Sequence, residues 1–165
     1  MKTLFIIIFI LSAPFIVAQV AIGKDDVEGS AVLDFASNTQ QGIILPWITE
    51  SSIAETGSLI YSVEEKKVKF FNGSIWQDLS VKQGEVDTTE IDGFDEVGAG
   101  VLLGNENSTL QGVLVLDDNS KALVLPKSNQ PWLNIKNPEA GTLVYDSENK
   151  LICIFNGLEW TFWGH

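Results

Sequence analysis

Arginine is absent from this sequence, and cysteine and histidine occur once each. Without arginine there is no bidentate guanidinium clamp for phosphate or carboxylate ligands. A single cysteine, Cys153, allows no internal disulfide. It reads as a small apolar strand residue, not as a reactive thiol. One cysteine and one histidine, His165, fall short of the three or four ligands of a zinc site, and no base is placed beside a nucleophile. Cations are scarce too: 10 lysines face 22 acidic residues, for a formal net charge of −12. That balance removes the basic footprint that nucleic-acid binding requires, and it disfavours anionic membrane surfaces. Carboxylates are plentiful, but nothing in their placement singles out the flanking pair of a glycosidase. The residues nominate no catalytic group, no metal ligand and no cofactor, so a non-enzymatic protein is expected.

Long apolar runs are also few. The one at the start, Leu4–Leu11, follows Lys2 and is broken by Pro14, and Ala18 offers a small residue for cleavage. Residues 1–18 therefore read as a secretory signal peptide, with Gln19 as the mature N-terminus. The run is shorter than the roughly 20 residues of a membrane span. The expectation is an exported protein, extracellular or at the cell surface, with the periplasm as the other compartment and no membrane attachment after cleavage.

What the sequence does contain is a stretch that occurs twice. Gly57–Leu79 reads GSLIYSVEEKKVKFFNGSIWQDL and returns at Gly141–Phe162 as GTLVYDSENKLICIFNGLEWTF. Gly57/Gly141, Leu59/Leu143, Tyr61/Tyr145, Asn72-Gly73/Asn156-Gly157 and Trp76/Trp160 all stand 84 residues apart. Alternating apolar residues, β-branched and aromatic content and an Asn-Gly pair predict a three-strand antiparallel meander in each copy. Its strands are expected at Ser58–Ser62, Lys67–Phe71 and Ile75–Leu79, and the Asn-Gly pair is expected to make a type I′ turn.

Shorter segments upstream repeat as well. Val20–Gly23 is echoed by Val101–Gly104, Ala31–Phe35 by Gly112–Leu116, and Gly42–Pro46 by Ala122–Pro126. Each reads as a short strand. The domain reading is a signal peptide (1–18), a first β repeat (19–79), an acidic linker (80–99) and a second β repeat (100–165). Units of about 60 residues are marginal alone, so each repeat needs partner strands from the other repeat or from other chains. In the linker, Asp92-Gly93 resembles a calcium-loop turn, but Thr88 and Ala99 stand where ligands would be needed. An acidic solvated segment is the expectation there.

The order of segments carries a resemblance. V-x-I-G, A-x-L-D, G-x-x-L-P, G-x-L-I-Y and N-G-x-x-W follow one another, as in Gly42-Ile43-Ile44-Leu45-Pro46 with Asn72-Gly73-Ser74-Ile75-Trp76. Leu123-Val124-Leu125-Pro126 with Asn156-Gly157-Leu158-Glu159-Trp160 repeats it. This resembles the tandem β repeat of Bacteroidetes surface and phage-tail-fibre-like proteins. The resemblance implies an all-β, fibre- or head-like module, often homotrimeric, that serves attachment and not catalysis. Where that family usually has Arg after the Leu-Pro pair, this chain has Trp47 and Lys127. Asp87-Thr88-Thr89 also resembles the three-residue O-glycosylation site of secreted Bacteroidetes proteins, with Thr88 as the acceptor.

Five tryptophans complete the inventory. Trp76 and Trp160 repeat in register, so with Tyr61 and Tyr145 they are assigned to core or inter-chain packing. Trp47 and Trp132 lie in connections and do not align; if exposed they could stack on sugar rings. The leading expectation is a homo-oligomeric structural or adhesive surface protein. One rival is a monomeric carbohydrate-binding module using Trp47 and Trp132. Another is an accessory subunit that contacts a surface protein through its strand edges.

Overall fold

The computed structural model describes residues 19–48, 55–87, 100–105, 107–110 and 112–164. Residues 1–18, read as a signal peptide, Thr88, read as a glycosylation acceptor, the acidic stretch 88–99 and His165 lie outside these residues. The fold is all-β, with several sheets of short strands. Among the described residues the elements run β1 (Val20–Ile22), β2 (Ala31–Phe35), β3 (Ile43–Ile44), β4 (Trp47–Ile48), β5 (Leu59–Ser62), β6 (Lys67–Phe71), β7 (Trp76–Asp78) and β8 (Val101–Gly104). There follow β9 (Leu114–Asp117), β10 (Ala122–Leu123), β11 (Lys127–Ser128), a single-turn helix α1 (Pro131–Asn134), β12 (Thr142–Asp146), β13 (Leu151–Phe155) and β14 (Trp160–Trp163).

The meander forms in both copies, as β5-β6-β7 and as β12-β13-β14, all antiparallel. The two copies agree bond by bond. Gly57 N–H donates to Phe71 C=O and Gly141 N–H to Phe155 C=O, both at 2.8 Å. Lys66 and Lys150 close the first turns with φ of 54° and 59°. The Asn-Gly turns differ from a two-residue type I′ hairpin. Only Gly73 and Gly157 have positive φ, at 94° and 96°. The loop spans four residues, because Asn72 N–H donates to Ile75 C=O and Asn156 N–H to Glu159 C=O, both at 3.2 Å. The Asn72 carboxamide oxygen accepts from the N–H groups of Ser74 and Ile75, and Asn156 does the same for Leu158 and Glu159. Asparagine thus acts as a side-chain cap, and only glycine supplies the left-handed residue.

A second difference concerns the Leu-Pro pair. Trp47, read as part of a connection, lies instead in β4, which follows Pro46 at once and pairs in parallel with β5, Trp47 opposite Tyr61. β11 does the same after Pro126, with Lys127 opposite Tyr145. Each proline lacks an N–H but uses its C=O, which accepts from Tyr61 N–H (3.0 Å) and Tyr145 N–H (2.9 Å). An edge position suits a residue with no donor.

The repeats also exchange strands. β3 of the first repeat pairs with β12 of the second, Ile43 opposite Leu143. β10 of the second pairs in parallel with β2 of the first, Leu123 opposite Leu33. Gly42 makes the β3 exchange feasible: a Cβ there would lie 2.6 Å from Thr142 Cγ2 and 2.9 Å from Leu143 O. The main core forms between the two meanders, from Leu45, Tyr61 and Val68 on one side and Ala140, Leu143 and Ile154 on the other. A smaller core of Ile135, Val144 and Cys153 lies on the opposite face of the second meander.

Candidate functional site

Two places in the structure bring the sequence's candidate residues together: the seam between the repeats and an aromatic shelf on the second meander. The seam begins with Tyr61. β-strand alternation puts Tyr61 and Val68 on the inner face of the first meander, and both are fully buried. The Tyr61 hydroxyl donates to Asn156 C=O at 3.0 Å, and burial pushes its pKa up to about 12. Asn156 is itself fully buried. Its Nδ2 donates to Lys82 C=O at 3.0 Å, so the second Asn-Gly loop is clasped between Tyr61 and the segment after β7. That segment approaches so closely that a Cβ on Gly84 would lie 1.6 Å from Asn156 O, and one on Gly157 would lie 1.6 Å from Glu85 O. Trp163 Nε1–H donates to Leu79 C=O at 2.9 Å, and Lys82 meets Glu159 at 3.0 Å. Ser80, at the start of the stretch assigned to the linker, is buried and accepts from Val68 N–H at 3.1 Å, while Val86 packs on the core. Residues 80–87 thus run along the seam; their glycine and backbone carbonyls carry the contact, which hydropathy does not register.

Trp47 belongs to this seam. It is half-buried, its Nε1–H donates to Ala140 C=O at 2.6 Å, and its ring meets Tyr61 at 6.2 Å between centroids. It lines a groove with Glu85, Val86, Asp87, Pro138, Glu139, Ala140 and Gly157. Trp132 lies elsewhere. It is carried on α1, 36% exposed, and stacks edge-on against Phe162 at 5.2 Å. With Asn149, Leu151, Trp160 and Phe162 it lines an open cavity of about 530 Å³. The two connection tryptophans share no lining residue, so the structure does not join them in one site. The shelf residues Phe162 and Asn149 were not singled out in the sequence. The signal was there in Trp160-Thr161-Phe162, whose spacing of two puts both rings on one face of a strand.

Trp76 and Trp160 are half-buried and keep equivalent partners: Phe71 at 5.3 Å and Phe155 at 5.2 Å. Trp160 also packs on the smaller core. Tyr145 is half-buried and lacks the central place of Tyr61. Cys153 is fully buried, and its thiol is pushed up to about 12 by burial and then by the nearby Asp146 charge. Its repeat partner Lys69 is buried as well and pairs with Glu65, so this strand face is covered in both copies. Among the described residues no group of three or more His, Cys, Asp or Glu could hold a metal ion. Nor is any helix there long and apolar enough to cross a membrane.

Two buried carboxylates brace turns. Burial acts to raise the Asp146 carboxyl, but bonds from the Asn149 side chain and from the Glu148, Gln130 and Asn149 N–H groups outweigh it and leave it below the ordinary value. Ser62 is its repeat partner and accepts from Glu65 N–H. Asp34 is lowered by Lys24, whose Nζ lies 2.6 Å away, and by Glu28 N–H.

Residues 21–93 match the family described as the phage tail like trimerisation region. That span holds the first repeat's short strands and its meander. No curated protein and no solved structure matches the chain.

Proposed function

We propose that this chain is an exported, non-catalytic module that assembles as a homotrimer and serves attachment at the cell surface. The observation that carries the reading is the match of residues 21–93 to a phage tail like trimerisation region. It supports self-association and a fibre-like structural role. The duplicated meander fits a protein that stacks β units along an axis, and the absence of arginine and the net charge of −12 argue against phosphate-rich partners. Export rests on the leader at residues 1–18 and adhesion on the resemblance to surface repeats. The test is native mass spectrometry of the secreted protein. Three chains, each beginning at Gln19, are expected; a single chain, or chains retaining Met1, would overturn the assembly or the export half of the proposal respectively.

A second reading is favoured by one observation, the shelf of Trp132, Trp160 and Phe162 with the Asn149 carboxamide at its margin. The exposed rings of Trp132 and Phe162, with the half-buried Trp160 and an amide beside them, suit the apolar face and hydroxyls of a sugar. Trp47 is set apart from this reading by its bond to Ala140. Trp132→Ala should abolish binding on a glycan array while leaving the fold intact; unchanged binding would remove the shelf from consideration.

A further inference from the structure

The two parallel ribbons of this chain are built alike but are covered differently. β1 pairs with β2, Val20 opposite Leu33, and β8 pairs with β9, Val101 opposite Leu114. Both registers advance by the same 81 residues, so the ribbons are repeat partners. In the first ribbon β10 takes the outer edge of β2, and Val32 and Leu33 are 1% and 3% exposed. In the second, the sheet ends at two strands among the described residues. At the start of both strands its apolar residues are exposed, Val101 by 55%, Leu102 by 40%, Val113 by 66% and Leu114 by 43%, while Leu103, Val115 and Leu116 are half-buried. Leu102 and Leu114 point to opposite faces, so both faces are apolar. Parallel pairs are ordinarily covered on both faces, and a two-stranded ribbon is not stable by itself.

The chain's own strands of the type that covers β2 are already placed. β10 lies on β2 and β3 lies on β12. Charge points to what covers the second ribbon. In a chain of net charge −12, the stretch from Val101 to Leu116 carries one charged residue, Glu106. The ribbon's own strands hold a single carboxylate, Asp117 at the end of β9, so like-charged copies meet there with little local repulsion, and apolar area leaves water on both sides of the contact.

We propose that the β8–β9 ribbon, which lies outside the matched region at 21–93, is a second self-association surface, packing through Val101, Leu102, Val113 and Leu114 against the same ribbon of other copies. This rests on the homotrimeric reading and assigns it a location. The surface extends assembly from the first repeat into the second, so that both units of the chain lie along one axis.

Light scattering on the full chain and on a Leu102→Asp/Val113→Asp double variant tests it. The wild type should have the mass of three chains and the variant a smaller one, with unchanged near-ultraviolet circular dichroism from the meander tryptophans. A trimeric wild type with an equally trimeric variant would overturn the ribbon interface and leave the trimer standing. A monomeric wild type would overturn both. Should the variant fail to fold, Val113→Cys in an otherwise unchanged chain decides: oxidation should link copies on a non-reducing gel, while Val81→Cys, at a site 76% exposed and outside β8 and β9, should not. Failure of Val113→Cys to link copies of a trimeric chain would likewise overturn the interface.

Discussion

Tyr61 and Tyr145 occupy the same place in the repeated sequence, yet only Tyr61 is central to the core. Its hydroxyl reaches across the seam to the Asn156 carbonyl, itself buried, so removing the oxygen leaves an acceptor without a partner. Tyr61→Phe should lower stability by about 1–2 kcal/mol, whereas Tyr145→Phe should stay within about 0.5 kcal/mol. Urea denaturation of the two variants measures the difference; equal losses would contradict the asymmetry. Asp146 gives a pH-dependent counterpart. Its folded-state pKa lies below the ordinary 3.8. The unfolded chain therefore binds the proton more readily, and the stability Asp146 contributes is fully present above that value and lost as the pH falls through the lower, folded one. Asp34 shares this sign. Asp146→Asn should thus melt lower than the wild type at neutral pH and lose less melting temperature on acidification below about pH 4. Parallel acid slopes for the two proteins would contradict the role of the charge.

At the scale of elements, the meanders were legible because each strand alternates and each hairpin is punctuated by Asn-Gly and a lysine turn. The strand Lys67–Phe71 could be read to the residue, as could Ala31–Phe35. The strands after the Leu-Pro pairs were not, because two residues carry no periodicity and their pairing is decided by the neighbour they meet. The exchange of β3 and β10 between repeats was hidden for the same reason. The aromatic shelf was half legible: Trp132 was nominated, but its partners come from a strand 28–30 residues further on. The seam was illegible in hydropathy because a glycine and carbonyl groups make it. Gly84 tests it directly, since a Cβ there would strike Asn156 O. Gly84→Ala should cost about 1–3 kcal/mol in chemical denaturation. Val81→Ala, three residues away and exposed, should cost less than about 0.5 kcal/mol. Equal and small effects would show that residues 80–87 do not hold the repeats together.

At the scale of the whole molecule, the chain is two copies of one unit joined by a shared core and by exchanged strands. The joining answers the problem that a unit of about 60 residues buries too little surface alone. It does so incompletely. Among the described residues the first ribbon gains a third strand, and the second keeps two and leaves Val101, Leu102, Val113 and Leu114 exposed. A molecule that satisfies one repeat and leaves the other open is suited to assembly, and the trimerisation match lies on the repeat whose ribbon is closed within the chain.

The measurement that tests this account most directly is the solution mass of the chain by light scattering after size exclusion, repeated over a dilution series. The account predicts a mass of three chains that persists on dilution. A well-folded single chain at every concentration would contradict it, and would mean that the two repeats satisfy each other without partners.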